Sequence, residues 1–470
     1  MEVCATAEDA IGSLDGLGIA DRVAAGEVSA AEAVSAAIRR LQAVEPLINA
    51  VVIDRFEAAL AEAGKLPVGR RTAVFSGVPS LIKDNTNLAG LPTRHGSSGT
   101  PGNPTTADDE FTRHFRATGL IPIAKTALPE FGLTATTESS YRLATRNPWN
   151  TAYSSGGSSG GSAALVAAGV VPLAHANDGG GSIRIPAACC GVVGLKPSRD
   201  RLPTARFADK LPINLLAEGV VSRSVGDTAA FYREMEKHYT RCPLPPIGEV
   251  KGPNRERLRI ALCTEHPLGD ACHPEVVAAV EQVAKACEAL GHAIEILPSP
   301  VSAQMAEDFF LYWARLAAAA NYLGRFAFGR DFDRHRLEPL TCQLSRHYIT
   351  RIWRSPGAIR RLRKFGSDYQ QLFTRYDLIL TPVLASPPVE LGYLALDLDF
   401  PTALERLRHY AAFTPPQNVS GTPAISLPLG QSSAGLPIGV QFAAGMGEER
   451  RLLEIAFALE EVMPWSYPRG

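Results

Sequence analysis

Two glycine- and serine-rich segments carry the residues best suited to chemistry. Ser155-Gly156-Gly157-Ser158-Ser159-Gly160-Gly161-Ser162 is followed by Asn177-Asp178-Gly179-Gly180-Gly181-Ser182-Ile183-Arg184, which places Ser158 and Ser182 24 residues apart. Three glycines before Ser182 remove the side chains that would block approach to its hydroxyl, so successive backbone N–H groups can converge beside it. Such an array suits the oxyanion of an acyl-transfer reaction. Gly/Ser runs are also common as flexible linkers. Here apolar residues flank both segments, Ala163-Ala164-Leu165-Val166 after the first and Ile183, Ile185 and Pro186 in the second.

A serine nucleophile needs a base, and of ten histidines only His175 and His95 stand near these segments. A lysine serves instead when desolvation lowers its pKa, because a neutral amine accepts a proton. Lys83 is the candidate: the apolar, strand-like run Val78-Pro79-Ser80-Leu81-Ile82 would carry its ammonium inside, whereas most lysines stay on the surface. Short-motif alternatives are weaker. Ser80-Leu81-Ile82-Lys83 fits S-x-x-K, but the companion elements of that enzyme class are missing. Gly157 to Gly161 fits the G-x-S-x-G elbow, a weak pattern inside a Gly/Ser run. Gly119 to Thr126 is a near-miss phosphate loop with Ala124 for its second glycine and with Pro122, which has no N–H to donate.

Residues 1–70 read as amphipathic helices. Ser29-Ala30-Ala31-Glu32 forms a capping box ahead of Val34, Ala37, Ile38 and Leu41. Residues 74–227 alternate short β-branched runs such as Leu120-Ile121-Pro122-Ile123 and Val170-Val171-Pro172-Leu173 with helical segments, and hold every chemical motif. Residues 228–375 read as a mainly helical insertion or peripheral layer, including a helix from Pro274 to Gly291. Residues 376–470 return to the α/β style through Tyr376 to Pro382 and Thr422 to Pro428, and end on a helix from Glu448 to Val462. The aromatic cluster Phe309-Phe310-Leu311-Tyr312-Trp313 reads as helix core in preference to substrate wall.

The 470 residues are 46% hydrophobic and 20% charged, with a net charge of −1. That balance buries a core and offers no basic footprint for nucleic acid; the Arg360 to Lys364 cluster reads as a solvated helix face. Eight cysteines show no metal-ligand spacing and read as reduced thiols. The N-terminus does not read as a signal peptide, and Ala163 to Ala176 is too short and too broken to span a membrane. A cytoplasmic protein is expected.

Together these residues resemble the amidase signature family over most of the chain. The resemblance rests on Gly156 to Ser162, on Gly179 to Ala187 and on Gly191-Val192-Val193-Gly194-Leu195-Lys196-Pro197. Further landmarks are Gly77-Val78-Pro79 leading to Lys83-Asp84, Lys125 to Gly132, Arg146 to Trp149, Thr381-Pro382, and Gly435-Leu436-Pro437-Ile438-Gly439 with Gln441.

The resemblance implies a single α/β domain over residues 1–470, with a mixed central sheet covered by helices on both faces. It also implies a Ser-cisSer-Lys triad with Ser182 as nucleophile, Ser158 as bridging serine after a cis peptide bond, and Lys83 as base. The N–H groups of Gly179, Gly180, Gly181 and Ser182 would form the oxyanion hole. Asp178 and Arg184 would brace the nucleophile loop, Ser159 would help place the lysine, and Thr134 would stand near the acyl pocket. The activity implied is hydrolysis of a linear carboxylic amide to an acid plus ammonia or an amine, with no metal and no cofactor. The expected partners are a small amide substrate, neither nucleic acid nor membrane, with a homodimer as the candidate assembly. The alternative is a glutaminyl subunit supplying ammonia to a tRNA-dependent complex, although Asn177 and Gly179 resemble stand-alone amidases more. Cys189-Cys190 leaves a cysteine nucleophile as a lesser alternative.

Overall fold

In a computed structural model, which describes residues 1–205 and 207–469, the strands are β1 Val51–Asp54, β2 Pro79–Lys83, β3 Ile121–Thr126, β4 Arg146–Asn147, β5 Asn150–Ser154, β6 Leu173–Asp178, β7 Val193–Lys196, β8 Ala217–Ser222, β9 Arg259–Leu262, β10 Ala293–Ile296, β11 Leu378–Pro382, β12 Ala424–Gln431 and β13 Pro437–Ala444. The α-helices are α1 Gly16–Ala24, α2 Ala30–Ile48, α3 Phe56–Ala63, α4 Glu110–Ala117, α5 Gly160–Ala167, α6 Arg184–Cys190, α7 Val225–His238, α8 Pro274–Ala289, α9 Ala303–Ala327, α10 Pro339–Ile349, α11 Ser355–Gln371, α12 Phe400–Tyr410, α13 Pro415–Ser420 and α14 Glu449–Val462.

Eight strands form a mixed sheet in the order β10-β9-β11-β13-β12-β7-β8-β6, while β1-β3-β2 form a second sheet. This is the α/β architecture expected. The two sheets meet where β2 lies beside β6, tied by Ser80 Oγ donating to Leu173 O at 2.8 Å and by Lys83 N–H donating to His175 Nδ1 at 3.1 Å. Lys83 thus ends one sheet directly beside the strand that leads to Ser182.

Local chemistry explains the elements. The Ser29 capping box is formed, with Glu32 N–H on Ser29 Oγ and Ser29 N–H on Glu32 Oε2. α8 begins with Pro274 in its first turn, where a missing N–H costs nothing. All eight residues of α5 are buried, as expected of a helix apolar all round. The run Val170 to Leu173 enters its strand only at Leu173, because Pro172 cannot donate to a ladder. Pro122 is accommodated in β3 at a bulge, where the pairing of β2 shifts between Ser80 and Leu81. Residues 228–375 supply β9 and β10 to the large sheet as well as helices.

Helix α6 lies against β12, β13 and β7. At Gly439 on β13 a Cβ would stand 2.3 Å from Ala188 Cβ, so only glycine lets α6 lie this close. Among the described residues no helix is long and apolar enough to cross a membrane. Gly439→Ala is expected to overpack α6 against the sheet and cost about 1–3 kcal/mol; a chemical-denaturation midpoint no lower than wild type would contradict this contact.

Candidate active site

Lys83 is wholly buried. Its Nζ sits 2.7 Å from Ser158 Oγ, 2.8 Å from Ser159 Oγ and 2.7 Å from Asn177 Oδ1. The peptide bond between Gly157 and Ser158 is cis. The three contacts decide where a neutral amine aims its lone pair. Asn177 Oδ1 only accepts. Ser159 Oγ donates to Asn177 O at 3.3 Å, so toward Lys83 it too accepts. Both N–H bonds of a neutral amine are then committed, and its lone pair falls to the hydroxyl of Ser158.

Burial pushes the Lys83 pKa down from 10.5 to about 7, against the upward pull of the Glu218 and Asp178 carboxylates. Near neutral pH a large fraction is therefore the free amine.

Ser182 follows β6 on a loop built around Asp178 and Arg184, both fully buried. Asp178 Oδ1 accepts the N–H of Gly181 at 2.7 Å, and Oδ2 accepts that of Ile183 at 3.1 Å. Arg184 grips the same carboxylate through Nε and Nη2, each at 3.0 Å. Its remaining donors go to Gln417 at 2.8 Å, Gln441 at 2.7 Å and Asn418 at 2.7 Å. Burial works to raise the Asp178 pKa, but the Arg184 charge and hydrogen bonds hold it well below the usual carboxylate range. The loop's close fit is enforced at Gly181, whose φ is +131° and whose Cβ would stand 2.3 Å from Thr414 Oγ1.

One expected oxyanion donor is corrected. The N–H of Gly181 is spent on Asp178, so it cannot also hold an oxyanion. Among the described residues the N–H groups of Gly179, Gly180 and Ser182 find no protein acceptor. The Ser182 side chain makes no protein hydrogen bond, nor is its oxygen sealed from solvent; the residue is 7% exposed.

The aromatic cluster expected as core is core, and it also borders the glycines of the Ser182 loop. Phe309 is buried in a hydrophobic cluster, yet its ring borders Gly180 while Trp313 and Leu216 border Gly179. Trp313 Nε1 donates to Leu133 O at 3.0 Å, and the neighbouring residue Thr134 is buried.

The other candidate nucleophile and bases stand apart from this chemistry. Burial raises the Cys189 thiol to about 12 and Cys190 well above its ordinary value, so neither offers a thiolate. Burial lowers His95 to about 3, and its ring packs on Phe328. His175 stands behind Lys83 with both ring nitrogens occupied.

Four functional side chains are not evident from the sequence alone. Asn177 stands out in the sequence only as a point of likeness to stand-alone amidases, and its acceptor role on Lys83 needs the fold to be seen. Gln417 and Asn418 gave no signal, and Gln441 only that of a family landmark.

The amidase family profile matches residues 32–453. The chain is a member of the amidase signature family. "Putative amidase AmiC" of Mycobacterium leprae is 47% identical over 465 residues, covering 99% of this chain and 98% of that protein. Among solved structures, a 6-aminohexanoate cyclic dimer hydrolase complexed with substrate superposes with a TM-score of 0.88 at 34% identity, covering 97% of this chain and 99% of that one. A bacterial aryl acylamidase belonging to the amidase signature enzymes gives 0.86 at 25% identity, with 96% of each chain covered. The amidase signature fold therefore covers nearly the whole chain, and these relatives are named for the hydrolysis of amides.

Asp178→Asn removes the charge that compensates buried Arg184 and loosens the loop bearing Ser182. It is expected to cost roughly 3–5 kcal/mol of stability, read as a lowered denaturation midpoint. An unchanged midpoint would show that Arg184 is satisfied without it.

Proposed function

We propose that the protein hydrolyses a carboxylic amide to its acid and ammonia or an amine through an acyl-enzyme on Ser182, with Ser158 and Lys83 as a proton relay. The observation that carries this reading is the buried Lys83 amine, whose two donors are committed to Ser159 and Asn177 and whose lone pair is left for Ser158.

Neutral Lys83 takes the proton of Ser158 as Ser158 takes that of Ser182, whose oxygen bonds to the amide carbonyl carbon. The negative charge passes to the carbonyl oxygen, held by N–H groups of Gly179, Gly180 and Ser182. The tetrahedral adduct collapses as the relay returns the proton to the leaving nitrogen, breaking the C–N bond. Water then attacks the acyl ester by the same relay, releasing the acid and restoring the Ser182 hydroxyl. Leu216, Phe309 and Trp313 carry no charge at the loop they border, which favours an apolar, uncharged acyl group. A 6-aminohexanoate cyclic dimer hydrolase is among the similar structures, which supports a substrate class that includes cyclic as well as linear amides.

A fluorophosphonate probe followed by peptide mass spectrometry should place the adduct on Ser182, and Ser182→Ala should abolish labelling. An adduct on Ser159 or Cys190, or labelling that persists in the variant, would overturn the assignment. Lys83→Ala should lower kcat/KM by roughly 10²-fold to 10⁴-fold or more while the protein stays folded. Because the base is the deprotonated form, kcat/KM of wild type should rise with pH through about 7 and then level off; a rise centred on the ordinary lysine range would contradict a desolvated base.

A further inference from the structure

Behind Lys83, on the side away from the serines, stands a second buried polar pair. His175 on β6 is fully buried, and Glu218 on the neighbouring strand β8 is 5% exposed. The Lys83 N–H donates to His175 Nδ1 at 3.1 Å, which fixes the ring proton on Nε2; that nitrogen lies 2.9 Å from Glu218 Oε2 and donates to it. The chain of contacts runs β2 to β6 to β8 through the interior.

Phe111 and Phe115 of α4 pack on the imidazole with ring centroids 4.7 and 6.3 Å away, excluding water from the pair. A packing role alone would be met by an apolar side chain, since burying a carboxylate is costly unless its charge is used or compensated.

We propose that Glu218, held by His175 against the backbone of Lys83, is a positioning residue of the catalytic site that sets the pH at which the base becomes available. The inference rests on the reading of Lys83 as the base. The charged groups facing Lys83 are few. Glu218 comes from β8 and Asp178 from the end of β6, the latter committed to Arg184. The loop before α5 contributes only the hydroxyls of Ser158 and Ser159. Asp109, which precedes α4, acts on His175 from the far side. Lys125 on β3 is paired with Asp84 at 2.7 Å. Glu218 and Asp178 both act on the Lys83 ammonium, Glu218 the more strongly, and stabilise it where burial alone would drive it to the free amine. With His175 neutral and orienting it, the Glu218 charge is fixed in place, and it keeps the ammonium form accessible for the half-reaction that returns a proton to the leaving group.

The test is the pH profile of kcat/KM for Glu218→Gln, which keeps shape and removes the charge. The acidic limb should move to lower pH by several tenths of a unit to about one unit, with the plateau little changed. A limb that stays in place while the enzyme remains folded and active would overturn the proposal, since a merely structural role would lower the plateau without moving the limb. If Glu218→Gln does not fold, Glu218→Asp, which retains the charge but withdraws it, should move the limb in the same direction by less; no movement again counts against the proposal. The rate of fluorophosphonate labelling at Ser182, followed against pH in the same proteins, separates the two layers of the account. A wild type that does not label at Ser182 rejects the proposed function, whereas correct labelling with an unmoved limb rejects only the role of Glu218.

Discussion

A lysine side chain closed off from water and met by three oxygen atoms is the constraint around which the rest of this molecule is arranged. Charge in that position is costly, and the cost is the source of the chemistry: it moves the amine toward its free form near neutral pH. The three contacts to Ser158, Ser159 and Asn177 then convert a general tendency into a direction, because only one of the three can give a proton to the nitrogen. To hold Lys83 there, β2 must end inside the protein beside β6, and the junction of the two sheets provides that place.

The loop that bears Ser182 solves a different electrostatic problem. Arg184 is a buried cation whose donors are all occupied, and Asp178 is its counter-charge. By accepting the N–H groups of Gly181 and Ile183 as well, the carboxylate shapes the turn on which Ser182 sits and leaves the neighbouring N–H groups free. The C-terminal part of the chain closes this network through Gln417, Asn418 and Gln441. The return of residues 376–470 to the sheet is thus a requirement of the site as well as of the core.

What could be read in the amino-acid sequence was what is local. Lys83, Ser158 and Ser182 stand in short contexts, glycine runs and an apolar strand, that announce their exposure or burial. The Ser29 capping box and the helix starting at Pro274 likewise depend on neighbours within one turn. The features that escaped depend on distant partners. Nothing around Asn177 shows that its amide will meet Lys83, and nothing around Glu218 shows that His175 will lie across the next strand. Gly181 looked like an oxyanion donor because sequence shows that an N–H exists, not which acceptor has claimed it. Strands β9 and β10, four residues each, are too short for alternation to stand out from a helical stretch.

Burial should leave Lys83 largely as the free amine at neutral pH. The direct measurement is an NMR titration of the intact protein labelled with carbon-13 at lysine Cε, with the Lys83 signal assigned by its loss in Lys83→Arg. A transition near pH 7 is expected for that signal, well below the ordinary lysine value of 10.5. A Lys83 signal that titrates with the exposed lysines would contradict it.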